Sequence, residues 1–322
     1  MATPIASESI ARGGDLGVSP ATIRNDVVEL EQEGYITRPH TSAGSIPSDK
    51  GYRFYVESTT QMPGELIPPE VRNSIRAQLT EAERDLDDWT KVGAAILASL
   101  VGNLAIATFP KAPKSRVRRV ELVGLQDFFA LMVVVFEQAR LRRHLIRMKE
   151  HLEPADLQES ANKISHILKG KTWQETESID TDLSPLEREM FSSAVLMLKE
   201  EDRTDYRDHD LDGLRNLLGQ PEFADGGQVQ ALVGAVEDGS LAQAILDETP
   251  KRGIVRVVIG EEAQGDMLRP MSVVIGRYGV PGGAAGAVGA VGPVRMEYTK
   301  AIAGVELMAS VMSSMVEGVQ SR

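Results

Sequence analysis

The sequence of 322 residues contains no cysteine at all. That absence excludes disulfides, thiolate zinc sites, iron–sulfur clusters and cysteine nucleophiles. Long apolar runs are missing too. None approaches the ~18 uninterrupted apolar residues of a membrane-spanning helix, and the best, from Phe128 to Phe136, reads as a buried strand. Met1-Ala2-Thr3-Pro4 lacks the basic, then apolar, opening of a secretory signal. With no cysteine and no signal, a cytoplasmic protein without a membrane partner is expected. Histidine is scarce. His40, His144, His151, His166 and His209 show no HExxH or related ligand spacing, so no metal or other cofactor is expected. Aromatic residues make up only 5%, against twelve methionines, which suggests an adaptable core. Positive charge is also short. The formal net charge is −12 and the pI near 5.0. Taken as a whole-chain value, this argues against nucleic acid, whose phosphates are met by Lys and Arg.

The charge is unevenly spread. From Lys111 to Lys149 stand ten bases against three acids; from Glu150 to Gly213 stand seventeen acids against seven bases. So abrupt a reversal suggests a boundary between structural units. The length suits two domains, or three if one is small.

Periodicity outlines the elements. Residues 1–57 read as a small helical unit with a hairpin and a further helix. Pro63, Pro68 and Pro69 mark a linker. Helices are expected around Val71–Leu86 and Trp89–Leu100, then strands over Val117–Leu125, Phe128–Glu137 and Leu141–Met148. Helices return near Pro154–Leu168 and Pro185–Glu201, and strands at Ile254–Ile259, Met271–Tyr278 and Ala287–Val291. Ile302, Val305, Met308, Val311, Met312 and Met315 give a closing amphipathic helix. The class is α+β, with a helical piece inserted.

The first segment carries the sharpest signal. Ser19 is a good N-cap and Pro20 suits the first helical position. Ile23, Val27 and Leu30 form an apolar stripe, and Gly34 stops the helix in the left-handed conformation. Ile5 to Arg12 is a preceding short helix, joined through Gly13, Gly14 and Gly17. Helix, glycine-containing turn, helix is the form of a helix-turn-helix, whose second helix presents polar residues to the major groove. Tyr35-Ile36-Thr37-Arg38, the loop Pro39–Gly44 and Ile46-Pro47 then form a wing, followed by a helix over Asp49–Val56. Off the apolar stripe lie Ser19, Ala21, Thr22, Arg24 and Asn25. Arg38, His40, Thr41, Ser42, Lys50 and Arg53 are candidate phosphate donors. Residues 1–57 nonetheless hold five bases against eight acids.

These runs resemble the heat-inducible transcription repressor HrcA family. The resemblance rests on Val18 to Asp26, Leu30-Glu31, Gly34-Tyr35, Pro39 to Gly44 and Ile46-Pro47 to Val56. It extends to Gln220-Pro221-Glu222-Phe223, Ile259-Gly260-Glu261-Glu262 and Gly292 to Tyr298. It implies a winged helix-turn-helix at 1–60 and a GAF-like α/β domain at 61–149 and 216–322, into which a mainly helical dimerising domain is inserted at 150–215. The two flanking strand sets would then share one sheet. It further implies a homodimer that represses chaperone operons through an inverted-repeat CIRCE operator on double-stranded DNA, with the chaperonin GroEL as a further partner. Two departures stand out. The family's first full helix is not matched, as if the start were misassigned, which would leave Ile10, Ile23, Val27 and Leu30 less to pack on. Ser45 stands where the family's wing carries arginine, so weaker operator affinity is expected.

No catalytic constellation emerges, and the chain is not expected to be an enzyme. The Gly-rich stretch Gly279–Gly292 lacks the lysine of a phosphate loop, and a flexible hairpin or close backbone approach is expected there. Two alternatives differ in class. One is a GAF-like small-molecule sensor with a cavity among Phe128, Leu131, Val133, Ile259 and Val274. The other is a dimer that has lost operator binding.

Overall fold

The computed structural model describes residues 4–13, 17–40, 44–59, 67–82, 89–112, 114–126, 128–137, 141–149, 151–179, 181–202, 209–224, 226–250 and 255–320. The chain divides into two units. The first comprises residues up to Pro110, Tyr206–Gly279 and Gly286–Ser321; the second comprises chiefly Lys111–Asp205.

The first unit opens with α1 (Ser7–Gly13), α2 (Pro20–Gln32), β1 (Ile36–Thr37), β2 (Ile46–Pro47) and α3 (Asp49–Thr59). The Ser19 hydroxyl accepts from the Thr22 N–H at 3.2 Å and satisfies one of the orphan donors of α2. Gly34, at φ 79°, reverses the chain at the far end. β1 and β2 pair antiparallel, Ile36 with Pro47 and Thr37 with Ile46, which makes the wing. Ile23, Val27 and Val56 are the buried apolar residues of this module. Leu30, expected beside Ile23 and Val27, is instead 41% exposed.

After α4 (Pro69–Ala82) and α5 (Trp89–Val101) comes a sheet of order β7-β3-β10-β9-β8, with β3 at Leu104–Thr108, β7 at His209–Asp212, β8 at Val255–Ile259, β9 at Met271–Gly279 and β10 at Ala285–Pro293. One face packs on α9 (Leu214–Leu218), α10 (Gly226–Glu237) and α11 (Ser240–Asp247) through Leu217, Leu232, Leu241 and Ile245. The other face meets α5 and the closing helix α12 (Tyr298–Gln320). With both faces covered, β9 is buried without alternation from Met271 to Gly276, and only Ser272 in that run is polar. By length and composition α12 is apolar enough to cross a bilayer; half of it is buried, as in a core helix. The Gly-rich stretch joins β9 to β10 through a turn over Val280–Ala284, and its glycines in β10 allow close approach. A Cβ on Gly286 would lie 2.6 Å from the Tyr278 ring, and one on Gly289 3.0 Å from the Val274 carbonyl oxygen.

Arg295 lies between β10 and α12. Its guanidinium donates to Glu222 at 2.7 and 3.1 Å and to the Gln220 side chain at 2.9 Å. Burial pushes the Glu222 carboxyl up, but hydrogen bonds, those of Arg295 foremost, outweigh it and lower the carboxyl well below its ordinary value. A lowered carboxyl stabilises the fold above its unfolded pKa, about 4.3, and that stabilisation is lost as pH falls toward the folded value. Glu222→Gln is expected to lower neutral-pH stability and to flatten the acid limb between those values, as read by urea melts.

The second unit holds β4 (Val117–Gln126), β5 (Phe129–Phe136) and β6 (Leu141–Arg147) as a separate antiparallel sheet, with α6 (Pro154–Leu168), α7 (Trp173–Thr176) and α8 (Pro185–Asp202). Ala130, Met132, Val134 and Phe136 face Leu157, Ile164, Met190 and Leu198. This corrects two expectations. The strands over Val117–Arg147 do not share a sheet with the later strands. The insertion spans Lys111–Asp205 and not 150–215. The charge reversal at Lys149/Glu150 lies inside the unit, where basic strands pair with acidic helices. Arg142 meets the buried Glu201 at 2.8 Å, and Arg116 meets Glu175 at 3.2 Å. Opposite charges brought face to face, rather than a boundary, explain the pattern.

Candidate nucleic-acid interface

The local sequence of α2 decides what it shows to solvent. Ile23 and Val27 are four apart, lie on one face and are buried. Ala21, Thr22, Arg24 and Asn25 lie off that face and are exposed. Ser19 is exposed at the cap, its hydroxyl 2.9 Å from that of Thr22. The helix therefore presents a short polar strip at its N-terminal end, where a recognition helix meets base edges. The partial positive charge of the helix N-terminus also favours nearby phosphate.

The remaining candidates divide. Arg24 lies 3.9 Å from Glu8 and Arg38 3.1 Å from Glu31, pairs with solvent access that phosphate can replace. His40 is exposed at the end of the described wing. Thr41 and Ser42 lie outside the described residues. Lys50 donates to the Glu33 carbonyl oxygen at 2.7 Å, with its ammonium 4.1 Å from the Tyr35 ring centroid, yet the residue stays exposed. Arg53 is placed differently from the expectation. Its guanidinium donates through Nε to Glu262 at 2.8 Å, through Nη2 to the second Glu262 oxygen, and to the Val257 carbonyl oxygen at 2.8 Å. It faces the five-stranded sheet, and its Nε and Nη2 donors are engaged by Glu262 and the Val257 carbonyl. Nothing in the local sequence of α3 marks this, because Glu262 is distant in the chain.

Among the described residues, no group of three or more His, Asp or Glu side chains is arranged to hold a metal. The residues considered for a sensor cavity are divided between the two units. Phe128, Leu131 and Val133 belong to the second unit, whereas Ile259 and Val274 are buried within the five-stranded sheet.

The profile of the HrcA protein C-terminal domain matches residues 87–302, and that of the DeoR-like helix-turn-helix domain matches residues 14–49. A heat-inducible transcription repressor HrcA of Dehalococcoides mccartyi is 35% identical over 98% of this chain and 90% of its own length. The chain belongs to the HrcA family. A relative of the same description from Chloroflexus aggregans is 33% identical over 98% of this chain and 88% of its own length. A solved structure described only as a hypothetical protein at 2.2 Å resolution shares the fold. Its TM-score is 0.63 and its identity 22%, covering 98% of this chain and 93% of that one. HrcA membership makes the chain a transcription repressor with a helix-turn-helix DNA-binding domain, a regulator and not an enzyme. Its architecture is an α+β, GAF-like arrangement behind that domain.

Proposed function

We propose that this HrcA protein represses chaperone operons in the cytoplasm by binding an inverted-repeat operator of the CIRCE type as a homodimer. The observation that carries this reading is the exposed polar strip at the start of α2, beside the paired wing. In it Ser19, Ala21, Thr22, Arg24 and Asn25 face the major groove, and Arg38, His40, Thr41, Ser42 and Lys50 meet phosphates. Arg53 is left out of this set because of its pairing with Glu262.

Two-fold symmetry in an operator calls for two-fold symmetry in the protein. The second unit offers a surface for it. One sheet face is covered by α6 and α8; the other aligns Val123, Leu131 and Leu145 in one cross-strand row, with Val123 51% and Leu145 53% exposed. Glu121 and Arg143 flank Val133 in the next row, so the face carries both signs and a second copy can meet it without like-charge repulsion. A dimer also explains how a module with few bases suffices, since joining two weak half-site contacts raises their effective concentration. GroEL belongs to the proposal through the family resemblance.

The test is a gel shift at low salt on an inverted-repeat chaperone operator and on a scrambled duplex. The reading expects a shift on the operator at much lower protein concentration. Equal binding to both duplexes, or none to either, would contradict it.

Ser45 provides a second check. It sits at the base of the wing, its backbone paired with Ile5 by two 3.0 Å hydrogen bonds. Ser45→Arg is expected to tighten operator binding and to steepen the log–log salt slope by about 0.9 for each added phosphate contact. An unchanged slope would remove this position from the DNA interface.

A further inference from the structure

Four runs that resemble family signatures are far apart in the chain and contribute no residue to the proposed DNA surface, apart from Lys50 on α3. The structure brings them together where α3 meets the five-stranded sheet. Asp49 accepts from the Glu261 backbone N–H at 2.9 Å. Arg53, one turn later, holds Glu262 in a bidentate pair and also donates to the edge-strand carbonyl of Val257. Between them Tyr52 packs on Tyr298, with ring centroids 5.8 Å apart. The Tyr298 hydroxyl in turn shares a 2.8 Å hydrogen bond with Ser272. Arg295, three residues before Tyr298, holds Glu222 and Gln220.

Local backbone geometry is built for this approach. Gly260 has φ +52°, a region that favours glycine, and a Cβ there would stand 2.1 Å from an Asp49 carboxylate oxygen. Glu262 bends back to accept from the Ile259 N–H at 3.0 Å, which holds the same carboxylate that Arg53 engages. Burial acts to raise the Glu262 carboxyl, but the Arg53 and Ile259 hydrogen bonds prevail and lower it, so the pair is charged at neutral pH. Residues i, i+3 and i+4 of one helix share a face, so three contacts at Asp49, Tyr52 and Arg53 resist both rolling and sliding of α3. The start of α3 is tied onward to the recognition helix. Ser48 donates to the Gly34 carbonyl oxygen at 2.6 Å, and Lys50 to that of Glu33 at 2.7 Å. A continuous set of bonds therefore runs from the end of α2 to the edge strand β8.

We propose that Asp49, Arg53, Gly260 and Glu262 are positioning residues that fix the attitude of the winged-helix module on the five-stranded sheet, and so set the separation of the two recognition helices in the dimer. This rests on the dimeric-operator reading. A half-site sees one module and is indifferent to the junction. An inverted repeat sees two and requires their spacing. A rigid connection favours the correct spacing and opposes the wrong one; a loose connection loses both preferences.

The test uses the full chain with Glu262→Gln and Arg53→Met, and with the exchange Arg53→Glu/Glu262→Arg as the rescue arm. Operators with the natural half-site separation and with ~5 base pairs added, half a helical turn, are compared with a single half-site. Glu262→Gln should bind the natural operator about tenfold or more weakly and discriminate less between the two spacings. Half-site affinity and salt slope should stay within about twofold of the parent, because no phosphate contact is removed. A readout free of DNA comes from the absence of cysteine, which lets Glu29→Cys and Gln243→Cys carry two spin labels and nothing else. Their distance distribution should be narrow in the parent, broad in Glu262→Gln and narrower again in the exchange variant. Broadening in a chain whose parent fails to bind the operator would uphold the junction and sink the repressor reading. An unchanged distribution, or half-site loss equal to operator loss with a shallower salt slope for Arg53→Met, would overturn the junction.

Discussion

Asn25→Ala is expected to weaken operator binding by roughly 30-fold to 10⁴-fold. A bidentate contact to a base edge contributes about 1–3 kcal/mol of discrimination, and the substitution removes it from both half-sites of a dimer. Asn25 is exposed and lies off the buried face that carries Ile23 and Val27. Alanine is also the better helix former, so thermal stability should not fall. The loss should be sequence-selective, with discrimination relaxed at one base pair of each half-site and non-specific affinity nearly intact. Lys50→Ala gives the contrasting signature. Removing a phosphate contact lowers affinity on all duplexes alike and reduces the salt slope by about 0.9 per contact. Binding isotherms on the operator and on single-base variants, at two or more salt concentrations, separate the two outcomes. A uniform loss for Asn25→Ala would move that residue from base reading to backbone positioning.

Phe136→Ala is expected to cost about 3–5 kcal/mol, the usual range for deleting a fully buried phenyl group. Phe136 is 0% exposed and sits in the core between β5 and the helices α6 and α8. The second unit has its own sheet and its own core, so the loss should appear in one calorimetric transition only, as a fall of about 10 °C or more. If that unit makes the dimer, operator binding should weaken in parallel while half-site binding persists. One transition that shifts as a whole would show that the two units melt together.

The sequence was most legible where a segment carries its own reason for its structure. Ser19-Pro20 and Gly34 bound α2 from both ends, and Pro154 and Pro185 start α6 and α8, each by local backbone chemistry. Elements that exist only through their partners escaped. β7 reads His-Asp-Leu-Asp, with no strand pattern; it is a strand because Ala105 to Thr108 pair with it in register. β3 and the helices α9 to α11 escaped as well; their apolar residues are buried against one another in the core of the five-stranded sheet. Charge misled at longer range. Basic strands and acidic helices read as separate blocks along the chain, and in the fold they neutralise one another.

The interface shows the same division. The polar strip on α2 followed from helical spacing alone. The engagement of Arg53 did not, since an arginine one turn into a helix after a wing has the pattern of a phosphate donor. Only the carboxylate of Glu262, set by the turn at Gly260, redirects it. The net charge of −12 proved a poor guide to function for a related reason. Many acids of this chain are spent on internal partners, and the surface proposed for DNA is small, with Arg24 and Arg38 in solvent-accessible pairs.

The central claim is that two copies of this chain read an inverted repeat through α2 and the wing. The direct measurement is the stoichiometry and affinity of the full chain on an inverted-repeat operator against one half-site, by analytical ultracentrifugation with labelled duplex. The account predicts two chains per inverted repeat and affinity at least about a hundredfold above that for the half-site. One chain per duplex with equal affinity for both would contradict it.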